Sequence, residues 1–128
     1  MKDDRKKKRK TTYAFFGVND KATNNFVGWV VDMTTEGLRI RSITELEVDS
    51  CFRFKMDLPF EINESREINF DAKSVWSKKV NDKNEFNTGF ELLNVHPTET
   101  VKIAQLIKSS HFEDGDEQIP VTFNILKN

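Results

Sequence analysis

The sequence is poor in the residues that build covalent cross-links, metal sites and membrane spans. Cys51 is the sole cysteine among 128 residues, so no internal disulfide can form and a reducing cytoplasm is the expected location. No apolar run approaches the roughly 20 residues that a transmembrane helix requires, and no apolar segment of a secretory signal follows the basic N-terminus. The two histidines, His96 and His111, lack the spacing of zinc ligands. We therefore predict a cytoplasmic protein without a metal site or cofactor.

Catalytic patterns are also missing from the sequence. The five glycines are scattered, so no glycine-rich phosphate loop is present. Neither a G-x-S-x-G turn nor a Cys–His arrangement suitable for nucleophilic catalysis is found. We therefore predict that the protein is not an enzyme.

Charge is distributed unevenly along the chain, whose formal net charge is −1. Residues 1–10 carry seven basic and two acidic side chains, so the rest of the chain is net acidic. A segment with this charge density cannot fold alone and favours contact with an anion. We predict that residues 1–10 form a flexible basic arm, residues 11–110 a barrel with a helix, and residues 111–128 a C-terminal extension.

Apolar and polar residues alternate in several short segments, which is the pattern of half-buried β-strands. Trp29 and Trp76 fall in two of these segments and are expected in the core, and Pro59 is expected to end the fourth. The predicted strands cover residues 12–18, 26–31, 38–43, 51–58, 68–76 and 86–92, and a further segment alternates at 119–125. This pattern predicts a mainly β fold, a small antiparallel barrel of about six strands with one helix after it.

The hydrophobic period changes from two to that of a helix after Pro97. Thr98 is the expected N-cap, and Glu99 lies near the positive end of the helix dipole. The apolar face is expected to contain Val101, Ile103, Ala104, Leu106 and Ile107.

Two short motifs carry polar groups that suit a ligand site. Arg5 and Arg9 form R-x-x-x-R, and residues 32–37 form D-x-[ST]-x-x-G, with Thr34 at the hydroxyl position. A predicted strand runs into the second motif and another follows it. Further along, residues 74–76 and 88–93 have the pattern of a hairpin that contains Gly89.

These features, in this order and with about two dozen residues between the motifs, resemble PilZ domains. PilZ domains are small β-barrels that bind the bacterial second messenger cyclic di-GMP. The resemblance covers roughly residues 5–107. It implies a stand-alone receptor that lacks catalytic activity and binds its ligand where the N-terminal arm crosses the barrel mouth. Because the like charges of residues 1–10 repel, we expect this arm to become ordered only when the ligand binds and so to pass the signal to an effector protein.

The resemblance also implies a role for each motif residue. Arg5 and Arg9 are expected to hold guanine edges and phosphates, because a guanidinium matches O6 and N7 of guanine with two hydrogen bonds. Asp32 is expected to accept from the N–H donors of a guanine, and Thr34 to add a hydroxyl beside it. Gly37 is expected to take a positive φ where the chain turns.

Two other interpretations of the sequence remain open. The first is a degenerate PilZ-type adaptor that binds a protein partner and no nucleotide. The second is a small barrel that binds nucleic acid through its basic arm, whose affinity would fall steeply with salt and would not need Asp32.

Overall fold

The structure, a computed structural model, describes residues 16–80 and 84–109. These residues form six β-strands followed by one α-helix. In chain order the elements are β1 (Gly17–Asp20), β2 (Asn25–Met33), β3 (Gly37–Ser42), β4 (Cys51–Ile62), β5 (Ser65–Lys79), β6 (Phe86–Leu93) and α1 (Pro97–Ser109).

The six strands close into an antiparallel barrel in the order β1-β2-β3-β6-β5-β4. Closure occurs where β1 pairs with both β2 and β4. The predicted mainly β fold, with a six-stranded barrel and a C-terminal helix, is therefore confirmed. The predicted arm at residues 1–10 and the predicted strand at 119–125 lie outside the described residues, as does most of the predicted strand at 12–18.

The barrel interior is filled by the alternating apolar residues of the long strands. Phe54 in β4 is fully buried, and its ring meets Phe70 of β5 and Phe90 of β6 edge to face, with centroids 5.9 and 5.2 Å apart. Edge-to-face aromatic pairs add to the stabilisation that their burial provides. The predicted alternation of β4 is confirmed by its burial pattern, and that of β5 is confirmed as far as Ser74, after which the register shifts.

The fourth strand continues past Pro59, so the prediction that this proline ends it is wrong. β4 reaches Ile62, although its regular pairing with β5 is interrupted between Asp57 and Ile62. The described pairing of β4 with β1 stops at Met56. A proline without an N–H is tolerated there because this part of the strand is an irregular edge.

Two tight backbone features fix the geometry of the sheet. Asn63 and Glu64 both have positive φ, 53° and 63°, and form the two-residue turn of the β4–β5 hairpin. In β2, a Cβ added to Gly28 would lie 2.2 Å from the carbonyl oxygen of Arg41. Only glycine therefore allows β2 and β3 to approach this closely.

The helix packs its buried residues Ile103 and Leu106 into the core cluster, together with partly buried Ile107. Two residues of the expected apolar face are instead exposed, Val101 and Ala104. Lys102 is buried in their place, at 7% exposure.

The prediction that Thr98 is the N-cap is wrong, because His96 occupies that position. The carbonyl of His96 accepts from the amides of Glu99 and Thr100, at 2.8 and 3.0 Å. Its Nδ1 accepts from the amide of Thr98 at 3.1 Å. Pro97 then occupies the first helical position, where its missing N–H costs nothing.

Candidate ligand-binding site

The turn that joins β2 to β3 is organised by Thr34. Its Oγ1 accepts hydrogen bonds from the amides of Glu36 and Gly37, at 3.0 and 3.2 Å, and its own amide donates to the carbonyl of Gly37 at 2.8 Å. A hydroxyl that satisfies nearby amides in this way stabilises a turn locally. Thr34 therefore has a structural role in the turn, which the threonine performs as a serine would.

Gly37 does not adopt the positive φ that the sequence suggested. No glycine among the described residues has a positive φ, and Gly37 is the buried first residue of β3. The turn needs no left-handed glycine because the bonds to Thr34 engage both the amide and the carbonyl of Gly37.

Asp32 lies on the outer side of the barrel wall and is almost completely buried, at 1% exposure. The register of β2 against β3 shifts between Val30 and Asp32, which places Asp32 opposite Arg39. The neighbours of Arg39 in β3, Leu38 and Ile40, point into the core. Since successive side chains of a strand alternate in direction, Arg39 and Asp32 face outward.

The Asp32 carboxylate is held by the guanidinium of Arg39. Nε of Arg39 donates to Oδ1 and Oδ2 at 3.2 and 3.0 Å, and Nη2 also donates to Oδ2. The side chain of Arg39 is 20% exposed. Such a charge-assisted, multiply bonded pair fixes the orientation of both side chains.

The outer row that begins with these two residues continues across the sheet to Trp76. Arg39 lies opposite Gly89 in β6, and Gly89 lies opposite Trp76 in β5. A second register shift, between Ser74 and Trp76, turns the indole to this side. Gly89 contributes no side chain between them, so the row consists of a carboxylate, a guanidinium and an indole. We call residues 32, 39, 89 and 76 the Asp32 row.

The two tryptophans do not have the core positions that alternation predicted. Trp76 is buried, at 9% exposure, but lies outside the core cluster on the outer side of the barrel. Trp29 is half-buried and stacks on Phe26, which is 60% exposed, with ring centroids 6.3 Å apart.

The structure thus brings together three of the five predicted site residues. Asp32, Thr34 and Gly37 lie at the same end of the β2–β3 hairpin. Arg5 and Arg9 lie outside the described residues. The sequence-based prediction missed Arg39, although the alternation of Leu38 and Ile40 with residues 39 and 41 indicates that two arginines share the outer face of β3.

Two surface grooves lie away from the Asp32 row. One, of about 650 Å³, lies between the end of β4 and the last turn of α1 and includes Phe60 and Gln105. The other, of about 420 Å³, includes Cys51 and Arg53. Within residues 16–80 and 84–109, no group of three His, Cys, Asp or Glu side chains is placed to hold a metal ion. No helix in those ranges is long and apolar enough to cross a membrane.

Comparison with known proteins identifies the class to which this barrel belongs. The profile of the PilZ domain matches residues 3–109, so the chain belongs to the PilZ domain family. PilZ domains are binding and adaptor domains. The match includes the segments that contain both motifs.

A solved structure has the same fold. The chain is similar to the Bacillus subtilis inhibitor of motility MotI/DgrA, with 13% sequence identity and a TM-score of 0.59. The likeness covers 72% of this chain and 44% of that one, so the chain spans less than half of its structural neighbour. No curated protein matches the sequence.

Proposed function

We propose that this PilZ domain binds cyclic di-GMP and passes the signal to an effector protein in the bacterial cytoplasm. The observation that carries the proposal is the Asp32 row, in which an acceptor of guanine N–H donors is fixed on the outer barrel wall beside the Thr34–Gly37 turn. The family supports the choice of ligand.

In this proposal the barrel supplies the acidic part of the site and the arm supplies the basic part. Asp32 accepts from the Watson–Crick edge of a guanine, while Arg5 and Arg9 hold a second edge and the phosphates. The carboxylate already has Arg39 as a partner. A guanine must therefore share Asp32 with Arg39 or displace it, which lowers the net gain from that contact.

The same ion pair favours the alternative of an adaptor that binds a protein and no nucleotide. Asp32 is 1% exposed, so its carboxylate meets a ligand only after neighbouring groups move. Calorimetric titration with cyclic di-GMP, with GTP as the control ligand, separates the two functions. Saturable binding of cyclic di-GMP alone supports the receptor, and the absence of any binding supports the adaptor.

Substitution of Asp32 tests whether the site recognises guanine or only negative charge. Asp32→Asn removes the charge, keeps the size and leaves Arg39 without its carboxylate. A purely electrostatic site would then bind the anionic ligand more tightly, whereas a guanine-binding site loses an acceptor and binds more weakly. Asp71→Asn is the matched control, because Asp71 pairs with Arg53 elsewhere on the barrel. Tighter binding by Asp32→Asn would contradict guanine recognition.

The arginine motif has its own matched pair of variants. Arg9→Ala removes a guanidinium that can donate two hydrogen bonds to one guanine or phosphate, and Lys7→Ala removes a single ammonium charge from the same segment. We expect Arg9→Ala to cost about 1.5–3 kcal/mol, roughly ten- to hundred-fold in Kd, and Lys7→Ala to cost much less. Equal losses would mean that the arm acts through net charge alone.

The signalling step we propose is ordering of residues 1–10 by the ligand. Fixing each backbone residue costs about 1–2 kcal/mol, so the contacts of Arg5 and Arg9 must offset that cost. Hydrogen exchange of residues 5–10 should become slower when cyclic di-GMP is added. If exchange is already slow in the free protein, or stays fast at saturation, the arm is not the switch.

A further inference from the structure

Arg41 is a second arginine on the outer face of β3. It lies two residues from Arg39, and the residue between them, Ile40, is fully buried. Residues i and i+2 of a strand share a face and are about 7 Å apart. Arg41 therefore lies one row away from the Asp32 row, on the same side of the barrel.

The guanidinium of Arg41 is positioned by a neighbouring side chain. Asn87 lies directly opposite in β6, and its Oδ1 accepts from Nε of Arg41 at 3.0 Å. The terminal nitrogens of Arg41 form no hydrogen bond with any described residue. The bond through Nε thus orients the guanidinium and leaves the pair of terminal amino groups available to an acceptor.

A second cation extends the row that contains Arg41. Lys78 of β5 lies opposite Asn87 and is exposed. Within the described part of the chain, neither Arg41 nor Lys78 forms an ion pair, whereas Arg53, Lys73 and Lys102 each have a carboxylate partner. Two cations without an acidic partner form a local positive patch that favours an anion.

We propose that Arg41, positioned by Asn87 and assisted by Lys78, forms a phosphodiester subsite beside the Asp32 row. The inference rests on the proposed function, because the anion is a phosphodiester of the cyclic dinucleotide whose guanine contacts Asp32. The terminal amino groups of Arg41 match two oxygens of one phosphodiester, and Lys78 adds a single charge. Residues 39 and 41 of β3 are about 7 Å apart, a distance comparable to that between a guanine and the phosphodiester of the same nucleotide. The ligand then extends from Asp32 along β3, in contact with the outer wall of the barrel.

The test is calorimetric titration of cyclic di-GMP into the full chain carrying Arg41→Gln, Lys78→Gln or Arg53→Gln. Arg53 is the matched control, since it is an outward-facing arginine on β4 that is paired with Asp71. We expect Kd to rise about tenfold or more for Arg41→Gln and a few-fold for Lys78→Gln, and to stay within about twofold for Arg53→Gln. The Kd of Arg41→Lys should lie between the Kd of the wild type and that of Arg41→Gln.

The salt dependence of Kd separates a phosphate contact from a structural effect. Salt screens the attraction between a cation and a phosphodiester, so the Kd of a variant that has lost this contact should rise less with added salt than the Kd of the wild type. A variant that is merely partly unfolded keeps the salt dependence of its folded fraction. Lys78→Gln changes an exposed side chain and so tests the subsite even if Arg41→Gln folds poorly. If Arg41→Gln and Lys78→Gln both bind as Arg53→Gln does, the subsite is refuted and the receptor function stands. If the wild type binds no cyclic di-GMP, both proposals fail.

Discussion

A buried ion pair within α1, which also forms hydrogen bonds to β5, leads to a quantitative prediction about stability. Nζ of Lys102 donates to Oγ of Ser65 and to the carbonyl of Glu67, both at 3.1 Å, and forms an ion pair with Glu99 at 3.1 Å. The other carboxylate oxygen of Glu99 accepts from the amide of Asn69 at 2.8 Å. One lysine therefore connects the helix to the strand beneath it.

Lys102→Met retains the apolar stem and removes the charge. The carbonyl of Glu67 keeps a donor in Ser65 at 2.9 Å, and Glu99 keeps the amide of Asn69, but the carboxylate loses its counter-charge at 15% exposure. Breaking a buried pair in this way costs about 3–5 kcal/mol. Because two hydrogen bonds survive, we expect the lower end, about 3 kcal/mol, and a fall in Tm of about 10 °C or more.

Urea unfolding of Lys102→Met, Glu99→Gln and the double variant measures the coupling between the two residues. The double variant has no buried charge and still offers an amide oxygen to Asn69. Its loss in free energy of unfolding should therefore be smaller than the sum of the two single losses, by about 1 kcal/mol or more. Lys73→Met, at the exposed pair with Asp49, is the control and should leave stability unchanged. A loss for Lys102→Met no larger than that control, or strict additivity in the double variant, would refute the reasoning.

Two further predictions concern the backbone. Gly28→Ala should lower the free energy of unfolding by about 1–3 kcal/mol, because its Cβ would lie 2.2 Å from the carbonyl oxygen of Arg41 and neither strand can move without disturbing the barrel. Thermal unfolding measures this loss, and a Tm equal to that of the wild type would contradict the close approach. Glu64→Gly should raise the free energy of unfolding by about 0.5–1 kcal/mol, because Glu64 has a φ of 63° that glycine adopts without strain. Glu61→Gly, in the strand before the turn, should instead be destabilising, and equal effects of the two glycines in urea unfolding would count against the turn strain.

The barrel could be predicted from the sequence because its strands are defined by local patterns. In β4 and β5, apolar residues alternate with polar ones, and this pattern predicts directly that Phe54, Met56, Ile68 and Phe70 are buried. The helix was predicted from its period, but its cap was not, since the imidazole of His96 takes the place of the Ser, Thr, Asp or Asn side chain that usually caps a helix. Lys102 was missed because its burial depends on acceptors contributed by β5, more than thirty residues away.

The site was harder to predict because it depends on strand register. Simple alternation in β5 gives Trp76 the same direction as Ala72 and Ser74, and the register shift after Ser74 reverses it. A similar shift after Val30 brings Asp32 opposite Arg39. A bulge is decided by how two strands fit together and leaves little trace in either segment alone. The motif could thus be recognised in the sequence while its ion pair could not.

The two register shifts explain how one barrel wall can carry a site. Each shift turns a side chain outward that regular alternation would send into the core, and the two residues, Asp32 and Trp76, stand at opposite ends of one row. Between them, Arg39 fixes the carboxylate, and Gly89 contributes no side chain to the row. Because the inner neighbours Leu38 and Phe90 are fully buried, this row cannot move without disturbing the core. The backbone of the candidate site is therefore fixed by the packing of the barrel, and the ion pair of Asp32 with Arg39 is the part of the row that a guanine would have to share or displace in the proposed function.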